Sequence, residues 1–229
     1  MAKPTVGAVI VAAGRSERMG RTDKLWAPLP SKNGREEPLI AHTLTAFQRS
    51  RRVHQAILVV ADEALEEGQT LVREHGFDKF AVVAGGGRRQ DSVLAGLQAL
   101  DDAHWAIVHD GARPLVTEQL IEEGLRAAEE TGASCSAIPV PDTLKEGTAG
   151  RIVRTVDRSR LWLAQTPQTF LYEMLLDAHK RASGDVTDDA ALVEALGVEV
   201  RIVTGSPRNI KVTTPDDLAI VRALLKATL

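Results

Sequence analysis

The sequence predicts an α/β fold with a doubly wound, mostly parallel sheet, helices on both faces of that sheet, and a protruding β-hairpin arm. Three observations carry this prediction. Short apolar runs alternate with helical patterns along most of the chain, as in proteins with a parallel sheet. The first run, at residues 6–11, is apolar throughout, which is typical of a strand buried on both faces. The alternation stops once, at about 139–158, where the pattern favours a hairpin.

The other elements follow from the period of the apolar residues and from the residues at their ends. Asp62 is expected to cap the second helix, and Thr214 with Pro215 to begin the last one. Before the arm, strands are predicted at 6–11, 56–60, 80–84, 105–109 and 134–139, and helices at 38–48, 62 to about 74, 90–100 and 118–130. After the arm, strands are predicted at 162–166, 200–203 and 210–212, and helices at 172–182, at 189–196 and from 214 onward.

The composition narrows the class of protein. A chain of 229 residues with 44% hydrophobic residues can bury a full core, and we predict one domain over 1–229. The net charge of -3 disfavours non-specific binding to nucleic acid or anionic membranes, because both rely on a basic surface. No apolar stretch approaches the roughly 20 residues of a membrane helix, and residues 1–6 are too short and polar for a secretory signal. The single cysteine, Cys135, lies in an apolar run, so we expect it to pack in the core of a cytoplasmic protein.

A glycine-containing turn with many cations follows the first predicted strand. Ligands of such sheets bind at the carboxyl ends of the strands, so this turn is placed to hold phosphate. It carries Arg15, Arg18, Arg21 and Lys24 within ten residues. Its glycine spacing matches neither the dinucleotide-binding fingerprint nor the P-loop. From charge alone, a solvated loop is favoured, because exposed arginine and lysine are common.

A second candidate is the His109-Asp110 pair at the end of another buried strand. A carboxylate at that edge faces the ligand crevice and has the oxygen chemistry that Mg²⁺ prefers. A lone aspartate at a strand end is, however, more often a turn former or a helix cap.

The joint order of several segments resembles the 2-C-methyl-D-erythritol 4-phosphate cytidylyltransferase family, from Val6 to about Leu224. The first is the turn itself, which is similar to the A-A-G-x-(G/S)-x-R-M…K pattern of sugar nucleotidyltransferases. The others are GGGRRQDSV at 85–93, HDGARP at 109–114, PDT at 141–143, TVDR at 155–158, TPQ at 166–168, TDD at 187–189 and NIKVT at 209–213. The resemblance implies a Rossmann-like sheet of the nucleotide-diphospho-sugar transferase type. It also implies CTP and a polyol phosphate as substrates, Mg²⁺ or another divalent cation, and a homodimer formed through the arm.

The resemblance also implies roles for individual residues. Arg18 and Lys24 match cations that stabilise charge on the triphosphate, and Arg158 and Lys211 match a pair that positions the acceptor phosphate. The nucleotide-site positions are Ala12, Ala13, Gly14, Gly86 and Ser92; the acceptor-site positions are Asp110, Arg113, Thr143, Thr166 and Thr187, and Asp110 is also the metal candidate. Taken singly, the threonines are common in strands and the cations are common on exposed surfaces, so each has an ordinary structural explanation. Because all of them occur in the order found in the family, the resemblance favours a site.

Some residues depart from the family pattern, and other functions stay open. Gly87 stands where many relatives have a polar residue, Leu25 replaces a common glutamine, and 26–38 is longer than in compact relatives. The nearest alternative is a cytidylyltransferase for another polyol phosphate, such as ribitol 5-phosphate. A nicotinamide-dependent oxidoreductase would need a complete glycine fingerprint and an acid roughly 20 residues later, which are absent. A nucleotide-sensing domain would tolerate loss of Lys24 or Asp110, and both are present.

Overall fold

The computed structural model describes residues 4–14, 24–32, 34–182 and 184–227. The strands are β1 Val6–Ala12, β2 Pro28–Pro30, β3 Glu36–Pro38, β4 Gln55–Val60, β5 Phe80–Ala84, β6 Trp105–Asp110, β7 Ala133–Pro139, β8 Leu144–Thr148, β9 Arg151–Val156, β10 Trp162–Leu171 and β11 Arg201–Thr204. The α-helices are α1 Leu39–Arg49, α2 Leu65–Glu74, α3 Arg89–Gln98, α4 Glu118–Thr131, α5 Tyr172–Arg181, α6 Asp189–Glu194 and α7 Pro215–Lys226. Short 3-10 helices occupy Lys24–Trp26 and Asp62–Ala64. In these ranges, no helix has both the length and the apolar character needed to cross a bilayer.

A seven-stranded sheet in the order β11-β7-β10-β6-β1-β4-β5 organises the fold. β1 pairs in parallel with both β4 and β6, and β10 is antiparallel to β6 and β7. The chain moves outward from β1 through β4 to β5 and then returns to the other side of β1 as β6. This reversal opens a crevice at the carboxyl ends of β1 and β6, where ligands of doubly wound sheets bind. The predicted doubly wound, mostly parallel sheet is confirmed.

Two apolar layers cover the two faces of the sheet. Val6, Ala8 and Ile10 of β1 belong to the layer that includes buried residues of α1, α2, α4 and α7. Val9 belongs to the opposite layer, with buried residues of α3, α5 and α6. This double coverage explains why the first strand is apolar throughout. At Gly96 of α3, an added Cβ would lie 2.3 Å from Val9 Cγ1, so the close packing of α3 on the sheet requires glycine.

Three details of the predicted elements were wrong. Residues 210–212 form no strand; Val212 instead donates a single backbone hydrogen bond to Ala112 O (2.8 Å), which ties this segment to the loop after β6. Asp62 is not a helix cap, because it begins the 3-10 helix and Ala64 is the N-cap of α2. The strand predicted at 162–166 continues to Leu171 through a register shift between Ala164 and Gln168, and it is antiparallel. The ends of most other predicted helices and strands differ from the observed ends by only a residue or two.

The predicted hairpin arm is formed by β8 and β9, which pair with each other in an antiparallel sheet separate from the main one. The turn between them has positive φ at Ala149 (49°) and Gly150 (75°), the backbone twist that favours a tight hairpin. The arm is exposed along nearly its whole length, including Ile152 (69% exposed) and Val153 (58%). An isolated two-stranded ribbon is only marginally stable in water, so these apolar side chains call for a packing partner.

Candidate active site

A cavity of about 730 Å³ lies at the carboxyl ends of β1, β4, β5 and β6. Its walls are the end of β1, the loop from β5 into α3, the start of the 3-10 helix after β4, and the segment around Lys211. The lining residues include Ala12, Ala13, Gly14, Lys24, Leu25, Asp62, Glu63, Gly85, Gly86, Gly87, Arg88, Arg89, Ser92, Asp110, Lys211 and Thr213. The sheet topology therefore brings together residues that are distant in sequence.

Two glycines shape the narrow wall of this cavity. A Cβ added to Gly85 would lie 2.5 Å from Ala13 Cβ, and one added to Gly86 would lie 2.4 Å from Asp91 Cβ. Both distances are shorter than packed carbon atoms allow, so the loop can approach β1 and α3 only as glycine. The Ser92 hydroxyl fixes the loop by accepting a hydrogen bond from Gly86 N–H (3.2 Å) and donating to Arg88 O (3.1 Å). Small side chains and backbone thus form a slot suited to a flat ring.

Lys24 enters the cavity from a fixed position. It begins a 3-10 helix whose next residue, Leu25, is only 5% exposed and packs in the core. Ala27 N–H donates back to Lys24 O (3.2 Å), closing this turn. The backbone of Lys24 is therefore anchored, while its side chain lines the larger cavity.

A second cavity of about 230 Å³ adjoins the first. It is lined by Arg89, Asp110, Arg113, Ala164, Gln165, Thr166, Gln168, Thr187, Asp188 and Lys211. Arg89, Asp110 and Lys211 line both cavities, so these three side chains form the boundary between them. A group bound in the smaller cavity would therefore be separated from the larger cavity only by a wall of two cations and one carboxylate.

Asp110 is the centre of this boundary. One of its oxygens, Oδ2, lies 2.9 Å from Lys211 Nζ and 3.4 Å from Arg113 Nε, and Oδ1 lies 3.3 Å from Arg89 Nε. Burial alone would raise the pKa of Asp110, but the charges of Lys211, Arg89 and Arg113 together hold it well below its usual value. Asp110 is therefore ionised and orients three cations around the point where the cavities meet.

Hydrogen bonds from three separate segments hold the boundary in place. Asp110 N–H donates to Thr166 Oγ1 (3.0 Å), which joins the end of β6 to β10. Asn209 Nδ2 donates to Thr166 O (2.8 Å), and Arg113 Nη1 donates to Asn209 O (2.8 Å). Burial lowers the pKa of Arg113. This ring of contacts preorganises the site and brings Lys211, two residues after Asn209, to the boundary.

His109, next to Asp110, is completely buried, and burial lowers its pKa to about 3. A histidine kept neutral in the folded state contributes stability that is fully present above its unfolded pKa of about 6.5. That stability declines as the pH falls from there toward 3, because only the unfolded chain then takes up the proton. We predict that the unfolding free energy of the unaltered protein falls more steeply between pH 6 and 4 than that of His109→Gln, by up to about 1.4 kcal/mol per pH unit.

Denaturant titrations at several pH values measure this slope. His104→Gln, at an exposed position, serves as the control and should reproduce the slope of the unaltered protein. Parallel slopes for His109→Gln and the unaltered protein would mean that His109 takes up a proton in the folded state.

The structure brings most of the predicted site residues to the two cavities. Ala12, Ala13, Gly14, Gly86, Ser92 and Lys24 line the larger cavity; Arg113, Thr166 and Thr187 line the smaller one; and Asp110 and Lys211 line both. Arg18 lies outside the described residues. Thr143 and Arg158 are exposed at the base of the arm and, within the described chain, line neither cavity. Arg158 Nη1 donates to the carbonyl oxygens of Val140 and Pro141. The chemical roles of all these residues stay predictions.

Sequence reasoning assigned no role to Arg89, Gln165 or Asp189, although the segments it used contain Arg89 and Asp189. Arg89 contacts Asp110, and Asp189 pairs with Arg89 from 100 residues further along the chain. Gln165 accepts a hydrogen bond from Ser206 N–H and donates to Ser206 O. In the structure Asp188 is the N-cap of α6, and two aspartates at the start of a helix are typical of such a cap. This pattern does not indicate that Asp189 takes part in a buried ion pair.

The protein ligands that a metal ion could use in this site are few. The described residues contain no group of three or more His, Cys, Asp and Glu side chains able to hold a metal. Asp110 does present an ionised carboxylate to both cavities. Mg²⁺ usually keeps several waters and binds one or two carboxylates together with substrate phosphates. The residues present therefore fit a metal held mainly by phosphate oxygens, for which Asp110 is the predicted protein ligand.

A strand-end crevice, a small-residue slot and an adjoining cation-lined cavity are the features of a nucleotidyltransferase on a doubly wound sheet. A family model described as 2-C-methyl-D-erythritol 4-phosphate cytidylyltransferase matches residues 6–227. The chain belongs to this family. Membership rules out the nicotinamide-dependent oxidoreductase considered from the sequence.

Relatives and solved structures agree over nearly the whole chain. A protein from Dehalococcoides mccartyi named 2-C-methyl-D-erythritol 4-phosphate cytidylyltransferase is 46% identical over 223 residues, which cover 96% of each chain. One of the same name from Alkaliphilus oremlandii is 41% identical, over 95% of this chain and 94% of its own. The crystal structure of the Thermus thermophilus cytidylyltransferase matches with a TM-score of 0.79 at 31% identity, covering 95% of this chain and 98% of that one. These matches bear out the fold and the resemblance.

Proposed function

We propose that this protein transfers the CMP group of CTP to 2-C-methyl-D-erythritol 4-phosphate. The products are 4-diphosphocytidyl-2-C-methyl-D-erythritol and pyrophosphate, in the non-mevalonate synthesis of isoprenoid precursors. The observation that carries the proposal is the pair of adjoining cavities whose shared wall is Arg89, Asp110 and Lys211. A nucleotide in the larger cavity and a phosphate monoester in the smaller one would meet at that wall. Relatives of this name, 46% and 41% identical over nearly the whole chain, support the choice of both substrates.

The reaction is an in-line displacement at the α-phosphorus of CTP. An oxygen of the acceptor phosphate forms the new bond to this phosphorus, and the bond from the phosphorus to the oxygen bridging the β-phosphate breaks. Pyrophosphate leaves with that electron pair. The second pKa of a phosphate monoester is about 6, so the attacking oxygen is already charged at neutral pH and needs no strong general base.

The chain's own residues supply positioning and charge. Lys24 faces the triphosphate from the larger cavity and stabilises the negative charge that moves onto pyrophosphate. The same chemical role is proposed for Arg18, which lies outside the described residues. Lys211, held on Asp110 at 2.9 Å, lies at the wall where the two phosphates approach each other. Arg113, Thr166 and Thr187 bind the acceptor in the smaller cavity. Ala12, Ala13, Gly14, Gly86 and Ser92 form the slot for the cytosine ring and its ribose.

Mg²⁺, or another divalent cation, is part of the proposal. When bound to the CTP phosphates beside Asp110, it would neutralise phosphate charge and polarise the α-phosphorus. The support is the ionised carboxylate that Asp110 presents to both cavities. A cytoplasmic location is also proposed. Its support is the one cysteine of the chain, Cys135, which is a buried free thiol whose pKa burial raises to about 12.

A substrate panel with pyrophosphate detection tests the proposed reaction. We expect turnover with CTP and 2-C-methyl-D-erythritol 4-phosphate, and a kcat/KM for CTP at least about 100-fold above those for ATP and GTP, because the glycine slot leaves little room for a purine. Ribitol 5-phosphate should be a poor acceptor. Higher kcat/KM with ribitol 5-phosphate would reassign the acceptor, and comparable use of GTP would contradict the assigned nucleotide.

We also propose a two-fold homodimer in which each arm completes the acceptor site of the neighbouring subunit. Ile152 and Val153 on the arm, together with Trp162 and Leu163 at its base, are exposed apolar side chains that need a partner surface. Thr143 and Arg158 lie at the same base and line neither cavity in the described part of the chain. An arm reaching a second subunit would carry them toward that subunit's acceptor cavity.

Mixing two inactive variants tests whether sites are shared. One variant is Lys24→Ala, and the other combines Thr143→Ala with Arg158→Ala; they are mixed after reversible dissociation. In a mixed dimer, the chain with an intact Lys24 receives the intact arm of its neighbour, so one of the two sites is restored and activity should partly return. The control mixes each variant with itself. If mixing restores nothing, or if the active species is a monomer, each chain builds its own site.

A further inference from the structure

A buried carboxylate, that of Asp189, lies behind the boundary of the two cavities. Asp189, the first residue of α6, is 1% exposed, and its Oδ2 lies 2.8 Å from Arg89 Nη1. Its other oxygen, Oδ1, lies 3.0 Å from Nε2 of His179 on α5, whose side chain is fully buried. A carboxylate accepts, so the proton of His179 that serves this contact sits on Nε2. Asp189 thus has a partner on each oxygen, the fully buried His179 on Oδ1 and the partly exposed Arg89 on Oδ2.

Arg89 connects this carboxylate to the boundary. Its Nε lies 3.3 Å from Asp110 Oδ1 while Nη1 holds Asp189, and Nη2 takes part in neither ion pair. Burial would lower the pKa of Arg89, but Asp189 and then Asp110 raise it, so the guanidinium stays charged. Because Arg89 lines both cavities, its charged guanidinium can donate where the proposed reaction brings the phosphates of CTP and of the acceptor together.

The backbone around Asp189 is fixed independently of these contacts. Asp188 Oδ1 accepts from Ala191 N–H (3.1 Å) and its Oδ2 accepts from Gln168 Nε2 (2.9 Å). Gln168 Oε1 in turn accepts from Ala190 N–H (3.0 Å). The start of α6 is thereby bound to β10, so the Asp189 side chain projects from a rigid base. Within that base, His179 and Arg89 contact the two carboxylate oxygens.

We propose that His179 and Asp189 are positioning residues that hold Arg89 at the boundary for CMP transfer, an inference that rests on the proposed function. His179 holds one oxygen of the Asp189 carboxylate, and the other oxygen pairs with Arg89 Nη1 while Arg89 Nε contacts Asp110. Preorganised charge of this kind matters most in the transition state, and a displacement of about 1 Å can cost about 100-fold in rate.

A double-mutant cycle in the full-length protein tests this coupling. His179→Ala and Asp189→Asn should each lower kcat by about 10- to 100-fold and change the KM for CTP by less than about threefold. His179→Gln, whose amide nitrogen replaces Nε2, should recover most of the loss. In an Arg89→Met background, His179→Ala should cost less than about twofold more, because the residue through which it acts is gone. Additive losses would overturn the proposal.

Leu175→Ala is the matched structural control. Leu175 is fully buried on α5 and contributes to the apolar layer, so this variant loosens the same helix without touching the ion pair. It should lower the melting temperature at least as much as His179→Ala and leave kcat within about twofold at a temperature where both variants are folded. A loss of kcat equal to that of His179→Ala would show that helix packing, and not the ion pair, is responsible.

A measurement that needs no turnover separates this inference from the proposed reaction. The Nε–H signal of Arg89 in a ¹⁵N correlation spectrum is assigned by its absence from Arg89→Lys. It should be sharp and slow to exchange in the unaltered protein, His179→Gln and Leu175→Ala, and broadened or lost in His179→Ala and Asp189→Asn. An unchanged signal in all variants overturns the positioning role even if the protein transfers CMP. The expected pattern in a protein without CMP transfer would refute the proposed function alone.

Discussion

Replacing Lys24 with alanine should lower kcat by about 100- to 1,000-fold while the KM for CTP changes by less than about threefold. Lys24 lines the larger cavity from an anchored 3-10 helix. The proposed reaction places the leaving pyrophosphate, which gains negative charge during transfer, beside it. An interaction that strengthens only in the transition state appears in kcat, not in ground-state binding. Steady-state kinetics with CTP varied at saturating acceptor measure both constants.

Lys226→Ala provides the control for a lost lysine charge. Lys226 is exposed at the end of α7 and lines neither cavity, so this variant should match the unaltered protein in both constants. If Lys24→Ala instead abolishes CTP binding and keeps a normal kcat at saturation, Lys24 is a binding residue and its proposed role in the transition state is wrong.

Asp110→Asn should reduce both activity and stability. It leaves Lys211, Arg89 and Arg113 clustered without the carboxylate that all three contact. Breaking a buried ion pair by removing one partner costs about 3–5 kcal/mol of unfolding free energy, and misplacing Lys211 should lower kcat/KM by about 1,000-fold. Thermal and denaturant unfolding measure the first effect, and pyrophosphate release measures the second.

The acid behaviour of Asp110→Asn gives a second check. Because the pKa of Asp110 is held below its usual value, its contribution to stability is present above about pH 4 and is lost as the pH falls further. The gap in unfolding free energy between the two proteins should therefore narrow below pH 4. Asp216→Asn, at an exposed position in the first turn of α7, is the control and should show no such convergence. An Asp110→Asn protein of unchanged stability and activity would contradict the central role of this carboxylate.

The main sheet was predictable because its signals are local. The apolar runs of β1, β4 and β6 and the periodic faces of α1 and α4 depend on residues a few positions apart. The direction and length of β10 were not predictable in this way, because its pairing with β6 and β7 involves partners that are distant in sequence. The segment at 210–212 has an apolar pattern compatible with a strand, yet Val212 N–H donates to Ala112 O in a loop and Ile210 N–H to the nearby Arg208 O.

The site was predictable where its residues lie at the carboxyl ends of predicted strands. The topology alone places Asp110 and the small residues after β1 at the ligand edge of the sheet, and the resemblance then favoured a site over a turn former. Lys211, Thr166 and Thr187 had no local signal that separates them from ordinary strand or surface residues, and only their collinear resemblance indicated a site. The link from His179 through Asp189 to Arg89 joins three helices, and single-sequence patterns carry no information about such contacts.

The antiparallel direction of β10 also determines what can be changed in this protein without disturbing its scaffold. Because β10 runs against its neighbours, it begins at the same edge where β7 ends, and the arm leaves and rejoins the sheet at that edge. The arm is therefore a segment between two paired strands, β7 and β10, that can be replaced. Arms of different length or sequence, taken from relatives, can be grafted between Pro139 and Trp162 with every strand pair of the main sheet retained. In the proposed dimer, the choice of partner subunit and the preference for an acceptor should then change with the arm that is grafted.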